Sequence, residues 1–306
     1  MHLTILLALF GLSRTPLSMC AAGILVSLIA LWAAKTDIAQ ARGLDKIVAL
    51  GNLCFAAPLA VFGAQHFSDA QSIMRTVPSF MPWPLFWTYF VGCALLAASL
   101  SMATDIEVRW SGLLFGIMMF LFVAMIIVPQ VVATPGDRFG WTFICRESSF
   151  GGGGWILAGN ALRQQGMYEG RGQRGSQLIP VGRVLVALAA LFLGVQHFLH
   201  PANVPGVPLE KLTPAWIPGR LLIDYLTGVI LLVAGVSMLL ARKTRTAATY
   251  LGTWIVLLVL FVYGPILIAS LADPGADKVE ALDYFFDTML FAGAILALAR
   301  ATPRTD

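Results

Sequence analysis

The segment PSFMPWPLFWTYFVGCALLAASLSM (78–102) returns further along the chain as PAWIPGRLLIDYLTGVILLVAGVSM (214–238). At an offset of 136 residues the matched pairs include Pro78 and Pro214, Pro82 and Pro218, Tyr89 and Tyr225, Gly92 and Gly228, and Met102 and Met238. Shared hydrophobicity alone would match leucines and alanines rather than these residue types. The register continues without a gap to Pro129 and Pro265. A repeat of this length predicts two copies of one structural unit.

The composition indicates a membrane protein. Of the 306 residues, 58% are hydrophobic and 12% are charged, whereas an average soluble domain is about half apolar and about one quarter charged. Nine apolar runs are long enough to cross a hydrocarbon core of about 30 Å as helices. They are 17–34, 46–65, 84–103, 110–133, 141–162, 181–199, 221–241, 247–271 and 282–299. Because the runs are continuously apolar and do not alternate, they predict helices rather than the strands of a barrel.

Together, the repeat and the nine runs predict an all-α polytopic membrane protein with two parallel-repeated four-helix bundles and one N-terminal transmembrane helix. The expected divisions are an N-terminal helix with a cytoplasmic loop (1–45), a first module (46–165), a cytoplasmic linker (166–179) and a second module (180–306). Since each module has an even number of spans, both enter the membrane from the same side. The modules are then related by an axis along the membrane normal.

The positions of the basic residues predict the orientation, because short cytoplasmic loops collect Lys and Arg. Basic residues gather around 35–46, 163–183, 242–245 and 300–304, whereas the stretch 273–283 is acidic. We therefore expect the N-terminus outside and the C-terminus in the cytoplasm. This topology accounts for the net charge of +4, so the charge does not call for nucleic acid. Residues 1–12 are too short to span and predict either an interfacial helix or a longer first span.

The block GAQHF (63–67) returns as GVQHF (194–198), each time at the predicted outer end of a span. One interpretation of His66 and His197 is functional, because a neutral imidazole that both donates and accepts suits a quinone carbonyl, a lipid head group or a proton path. The other is structural. There the ring binds carbonyls of its own last helical turn, while Gln65 or Gln196 does the same for a neighbouring helix.

Acidic residues inside the spans predict polar cavities next to these histidines. Asp224 is placed one turn into the seventh span, and Glu147 lies in the fifth span. We expect one cavity lined by His66 with Glu147, and another lined by His197 with Asp224 or Asp287. In the alternative interpretation, Arg146 and Glu147 pair with each other's neighbours near the outer interface. Asp283 and Asp287 then cap the start of the ninth span, and for Asp287 the two interpretations are equally open.

The remaining motifs favour packing roles. Tyr89 and Tyr225 are typical of an interfacial aromatic belt, although a stacking platform for a flat ring is the alternative. The run Gly151–Gly154 predicts tight packing between the modules. No span offers a second metal ligand at suitable spacing, so we predict no metal site. The four cysteines occupy separate spans without a C-x-x-C motif, which argues against thiol exchange.

Each predicted module contains three motifs in the same order. A helix ends in G-x-Q-H-F, a proline-rich loop follows, and the next helix contains Tyr-x-x-Gly and a run of small residues. This order of motifs resembles the DoxX-like family of four-helix membrane proteins over both modules. The resemblance implies a compact bundle in a bacterial-type cytoplasmic (inner) membrane. It also implies an accessory role in quinone-linked redox metabolism, with a quinone or other lipid in a cavity near the outer face and a membrane or periplasmic redox partner. The alternatives are an enzyme or binding protein for an isoprenoid-like lipid, and a small-solute transporter.

Overall fold

The computed structural model describes residues 12–168, 177–207 and 209–303, and within these ranges it contains nine long helices and no β-sheet. The helices are α1 (Arg14–Ala33), α2 (Asp45–Ser68), α3 (Pro84–Thr104), α4 (Val108–Ala133), α5 (Arg138–Tyr168), α6 (Leu178–Leu199), α7 (Arg220–Leu239), α8 (Thr244–Ala272) and α9 (Lys278–Ala301). Short helical segments follow α1 at Lys35–Gln40 and follow α2 at Ala70–Ile73 and Met74–Thr76. The predictions for residues 1–11 and for most of the linker fall outside the described residues.

Eight of these nine helices are long and apolar enough to cross a membrane. The exception in the described part of the chain is α5, which has 31 residues but contains the four-glycine run and several polar groups. Each predicted run coincides with one long helix. The prediction of an all-helical, multi-pass membrane protein is therefore confirmed, while the crossing of the bilayer by α5 stays a prediction.

Among the eight candidate spans, α2 and α9 are the most buried. In α2 and α9, 67% and 78% of the most apolar window is buried, whereas in the other candidate spans the buried share is 28–39%. α2 packs against α1, α3 and α9, and α9 also packs against α8 and α5. α5 in turn lies between α4 and α6, and α6 packs on α7. The outer helices consequently present apolar side chains such as Leu114 and Leu222 to the surroundings.

The contact between α2 and α3 has a counterpart between α6 and α7. A Cβ added to Gly92 would lie 2.9 Å from the Cβ of His66, and one added to Gly228 would lie 3.0 Å from the Cβ of His197. Real Cβ atoms do not approach so closely, so both helix crossings require glycine. The helices that carry the two histidines are therefore held against their neighbours in the same way.

α4 and α8 share a second feature at the same offset. Each contains one π-helical turn, at Val123–Ile127 and at Val259–Tyr263. Pro129 and Pro265 follow these turns as the second residue of the next α-helical segment. Proline lacks the N–H that would bond the preceding turn, and a wider π turn accommodates the missing bond. The helices thus continue past both prolines.

The four glycines of α5 contact helices on several sides, because successive residues of a helix point about 100° apart. A Cβ on Gly152 would lie 3.1 Å from the carbonyl oxygen of Gly182 on α6, and one on Gly153 would lie 2.6 Å from Ala294 on α9. These two contacts join the predicted modules, as expected. Gly151 and Gly154 instead face α4, so only half of the run packs across the modules.

Partly exposed ion pairs lie at both ends of the bundle. At one end Arg245 lies 2.7 Å from Asp45 and Arg300 lies 3.2 Å from Asp37. At the other end Lys211 lies 2.6 Å from Glu280, and α9 begins nearby with Asp277, whose side chain accepts hydrogen bonds from two backbone N–H groups. Such capping satisfies donors that the first turn of a helix leaves free.

Candidate functional site

A cavity of about 560 Å³ lies between α2, α4, α5 and α9. Its apolar lining consists of Leu59, Phe62, Leu95, Phe115, Met119, Phe122, Ile126, Ile127, Phe139, Phe143, Phe150, Leu209 and Leu290. The exposed residues Thr76, Glu210 and Glu280 lie at its mouth, at the end of the bundle opposite the Arg245 and Arg300 ion pairs. Along α9 the lining runs from Glu280 to Leu290, which corresponds to a depth of about 15 Å.

Aromatic spacing on α5 explains much of this wall. Phe139, Phe143 and Phe150 are separated by four and seven residues, which places them on one face of the helix. Arg146 lies on the same face, and its guanidinium carbon is 4.1 Å from the centroid of the Phe143 ring. A cation over an aromatic face is a favourable contact, and it holds the charged group against an otherwise apolar wall.

Arg146 links two acidic residues at the cavity. Its Nε and Nη2 donate to Oε1 of Glu147 at 3.0 and 2.6 Å, and its Nη1 donates to Oδ2 of Asp287 at 2.5 Å. The arginine is buried, with 6% of its surface exposed. Although Arg146 and Glu147 start about 100° apart on the helix, the long arginine side chain reaches its neighbour. Buried charges of this kind require such partners.

Asp287 belongs to the cavity and not to a helix cap. α9 begins at Lys278 and is capped by Asp277, so Asp287 lies more than two turns inside the helix. The capping interpretation of Asp287 is therefore wrong. The expected partnership with His197 is also wrong, because Asp287 pairs with Arg146 and lines the same cavity as His66. The two predicted modules thus contribute acids to one site.

His66 and Glu147 line one cavity, as predicted. Nδ1 of His66 lies 2.7 Å from the carbonyl oxygen of Phe62 in its own helix. Its neighbour Gln65 donates from Nε2 to Oδ2 of Asp283 at 3.2 Å, while Oδ1 of Asp283 is buried and has no partner among the described residues. The structural and the functional interpretation of His66 are therefore compatible. The ring contacts a carbonyl of its own last helical turn, and it also lines the cavity.

His197 has a different environment, although its Nδ1 makes the equivalent contact, 2.7 Å from the carbonyl oxygen of Leu193. Its ring is fully buried, and Nε2 accepts a hydrogen bond from the backbone N–H of Gly206 at 2.8 Å. Oδ1 of Asp224 lies 3.8 Å from Nε2, as the prediction of a His197–Asp224 pair requires. Neither carboxyl oxygen of Asp224 has a hydrogen-bond partner in the described part of the chain.

The loop after α6, residues 200–217, fills the space next to His197. Its side chains Val204, Val207 and Ile217 are buried, and Tyr263 donates its hydroxyl to the carbonyl of Pro205 at 2.9 Å. A predicted open cavity beside His197 is therefore wrong. The two QHF blocks lie 131 residues apart, whereas the segments that follow the loops lie 136 residues apart. This loop is therefore five residues longer than its counterpart after His66.

Residues that correspond to cavity residues in the sequence repeat lie next to this loop. The loop therefore occupies the position in the second module that corresponds to the cavity in the first. A Cβ on Gly206 would lie 3.6 Å from Leu258 and 3.9 Å from Ile255. At the offset of 136 these two residues correspond to Phe122 and Met119, both of which line the cavity. Gly206 has φ +108°, a backbone conformation that side chains of other residues disfavour. The close approach to His197 therefore depends on glycine.

The loop also borders the cavity. Leu209 and Glu210 line it, and the carbonyl of Leu209 accepts a hydrogen bond from Nη2 of Arg138 at 2.6 Å. Because one loop contacts His197 and continues to the mouth beside His66, both histidines lie at the same end of the bundle. Outside the spans, burial and the charge of Arg138 lower the pKa of His200.

The other predicted site residues lie away from the cavity. Tyr89 and Tyr225 are 39% and 41% exposed, and their rings lie 5.6 and 5.9 Å from those of Phe67 and Phe198. Gln196 is buried, and its Oε1 has no partner in the residues described. The side chains that sequence reasoning left out of the site are Arg146, Asp283 and the phenylalanine wall. The spacing of the phenylalanines on α5 was the signal for that wall.

No group of three His, Cys, Asp or Glu side chains with metal-binding geometry occurs within the described residues. Cys20, Cys54, Cys93 and Cys145 are free.

Comparison of the chain with protein-family models, with curated proteins and with solved structures found no match. The likeness to the DoxX-like family therefore rests on the sequence motifs, and it remains an expectation.

Proposed function

We propose that the protein is an integral membrane protein of DoxX-like type that binds a quinone or a similar isoprenoid lipid and serves as an accessory of quinone-linked redox metabolism. One observation carries this proposal: a large cavity whose wall is aromatic and aliphatic and whose polar groups converge on one side. The lipid bilayer is its first partner. A membrane or periplasmic redox protein is the second, and this partner rests on the order of the sequence motifs alone.

The dimensions and chemistry of the cavity support a lipid ligand. Its volume of about 560 Å³ lies within the usual range of roughly 300–1,000 Å³ for small-molecule sites. Such sites are mostly apolar, with a few polar groups that fix the orientation of the ligand. Here His66, Asp283 and the Arg146 cluster supply the polar groups, and six phenylalanines supply flat apolar contacts. A ring with polar substituents and an apolar tail matches that distribution.

The paired contacts of the two halves support the parallel repeat. The glycine crossings at Gly92 and Gly228 and the π turns in α4 and α8 recur at the offset of the sequence repeat. The basic residues at one end of the bundle support a cytoplasmic position for that end. In this orientation the N-terminus lies outside, the C-terminus lies inside, and the cavity opens near the outer face of a cytoplasmic membrane.

An enzyme acting on an isoprenoid-like lipid is the second candidate. His66 and the carboxyl groups of Glu147 and Asp283 line one apolar cavity, and such groups can move protons between a ligand and the protein. A transporter has less support. Between the halves, Gly152 packs on Gly182 and Gly153 packs on Ala294, so the described interface consists of small and apolar groups there.

Identification of the lipid that accompanies the purified protein tests the proposal. Ile126→Trp would fill the cavity, because Ile126 lines it. Leu121→Trp is the matched control on the same helix, since Leu121 is 50% exposed. We expect mass spectrometry to find a quinone or another isoprenoid lipid with the native protein and the control, at about one molecule per chain. The Ile126→Trp variant should lose it. Equal amounts of bulk phospholipid in all three samples would reject the proposal.

A further inference from the structure

The hydrogen bond of His66 fixes which of its ring nitrogens carries a proton. Nδ1 lies 2.7 Å from the carbonyl oxygen of Phe62. A carbonyl oxygen only accepts, so Nδ1 must donate. In a neutral imidazole the other nitrogen, Nε2, is then an acceptor. Among the described residues no group donates to Nε2 of His66, which belongs to the lining of the cavity.

Other polar groups that line the same cavity leave a second acceptor open. Gln65 uses its Nε2 on one oxygen of Asp283, and the other oxygen, Oδ1, is buried without a partner. By contrast, Arg146 directs three of its five N–H groups, one each on Nε, Nη1 and Nη2, to carboxylates. A buried acceptor that lacks a donor costs free energy, so a ligand with a donor is favoured here.

The equivalent nitrogen in the second module, Nε2 of His197, also favours a hydrogen-bond donor as its partner. There Nδ1 also lies 2.7 Å from the carbonyl of its own helix, and the chain itself places a donor, the N–H of Gly206, on Nε2. Gly206 lies against the counterparts of two cavity residues. The loop thus occupies the place of a ligand, and it meets the imidazole with a hydrogen-bond donor.

We infer that the cavity selects a lipid whose head group donates a hydroxyl hydrogen bond to Nε2 of His66, such as the hydroquinone form of a quinone or an isoprenoid alcohol, over the corresponding quinone. This inference rests on the proposed function and names its ligand more narrowly. A quinone carbonyl facing Nε2 would bring two acceptors together and leave both without a donor. The hydroxyl of a hydroquinone fits the same space and satisfies the nitrogen.

Binding measurements with three probes test the inference. The purified full-length protein is titrated with decyl-benzoquinone, with the same compound reduced under anaerobic conditions, and with farnesol. Dissociation constants come from ligand-dependent shifts in Tm. We expect the hydroquinone to bind about ten-fold more tightly than the quinone. Farnesol binding without hydroquinone binding would also fit a hydroxyl donor and would identify an alcohol as the ligand.

Three variants assign the preference to His66. His66→Leu removes the acceptor and should bring the two dissociation constants within about two-fold of each other. His200→Leu is the histidine control, because His200 lies beyond the end of α6 and does not line the cavity; it should keep the preference. Asp283→Asn is isosteric. It offers the cavity an amide donor once Gln65 has taken the oxygen, so it should shift the preference toward the quinone.

The possible outcomes distinguish a failure of this inference from a failure of the proposed function. Equal binding of quinone and hydroquinone, or tighter binding of the quinone, would overturn the hydroxyl preference and leave a lipid-binding role intact. A preference that survives in His66→Leu would overturn the role of His66. If no probe binds, the proposed function fails with the inference. Should His66→Leu not fold, the Asp283→Asn result decides.

Discussion

The guanidinium of Arg146 on α5 lies 2.5 Å from the carboxylate of Asp287 on α9, and this contact joins the last helices of the two predicted modules. The pair is buried, with 7% and 15% of the two side chains exposed. Because Arg146 also binds Glu147, one cation serves two acids. Its removal would leave two carboxylates in an apolar site without a counter-charge.

Replacement of that cation should therefore be costly. We expect Arg146→Met to lower the free energy of unfolding by about 3–5 kcal/mol, which is typical of a broken buried ion pair. Arg109→Met is the control, since Arg109 is partly exposed and its partners are the exposed Glu107 and the amide of Gln165, and it should cost about 1 kcal/mol. Unfolding curves in detergent measure both. Equal losses in the two variants would contradict a structural role for the buried pair.

The glycine crossings predict matched effects in the two halves. Gly92→Ala and Gly228→Ala would each place a methyl group within 3.0 Å of a histidine Cβ, so each should destabilise the protein by about 1–3 kcal/mol. Gly136→Ala has open space around it and should be neutral. Tm values of the three variants provide the comparison. A large loss at only one crossing would contradict equivalent packing.

The filled space next to His197 predicts a local effect of Tyr263. Tyr263→Phe removes the hydroxyl that binds the carbonyl of Pro205, and the loss should destabilise the loop by about 1 kcal/mol. Hydrogen exchange in residues 200–217 should become faster, while exchange in the α2–α3 contact should not. Tyr250→Phe is the exposed control. Unchanged exchange in the loop would show that this hydrogen bond does not hold it.

The proposed orientation is open to labelling. Ser79 lies in the loop before α3 and Thr36 lies after α1, and both are exposed. A membrane-impermeant maleimide should label Ser79→Cys in intact cells but should reach Thr36→Cys only after the membrane is opened. The reverse pattern would place the C-terminus outside. The native cysteines are replaced first, because Cys93 is exposed.

The helices were predictable because apolar runs of spanning length have few alternatives. The association of His66 with Glu147 also followed from sequence, since both lie near the same predicted end of neighbouring spans. The placement of Asp287 did not. α9 repeats α5 too loosely to fix a register, and a shift of one residue turns a side chain by about 100°. Only the packing of α5 on α9 decides that Asp287 meets Arg146.

The environment of His197 could not be predicted from the sequence either. The five additional residues after His197 were visible in the repeat, but hydropathy carries no information on where a loop folds. The bond from Gly206 to His197 depends on a backbone conformation with φ +108° and on the packing of Gly206 near Leu258, far along the chain. Neither leaves a periodic signal in the sequence.

The loop that covers His197 also bears on stoichiometry. If lipid binds only beside His66, each polypeptide binds one lipid molecule, although the repeated helices provide two comparable positions. The covered position is then free to accept substitutions that suit stability alone. The open position remains constrained by the molecule that it must recognise.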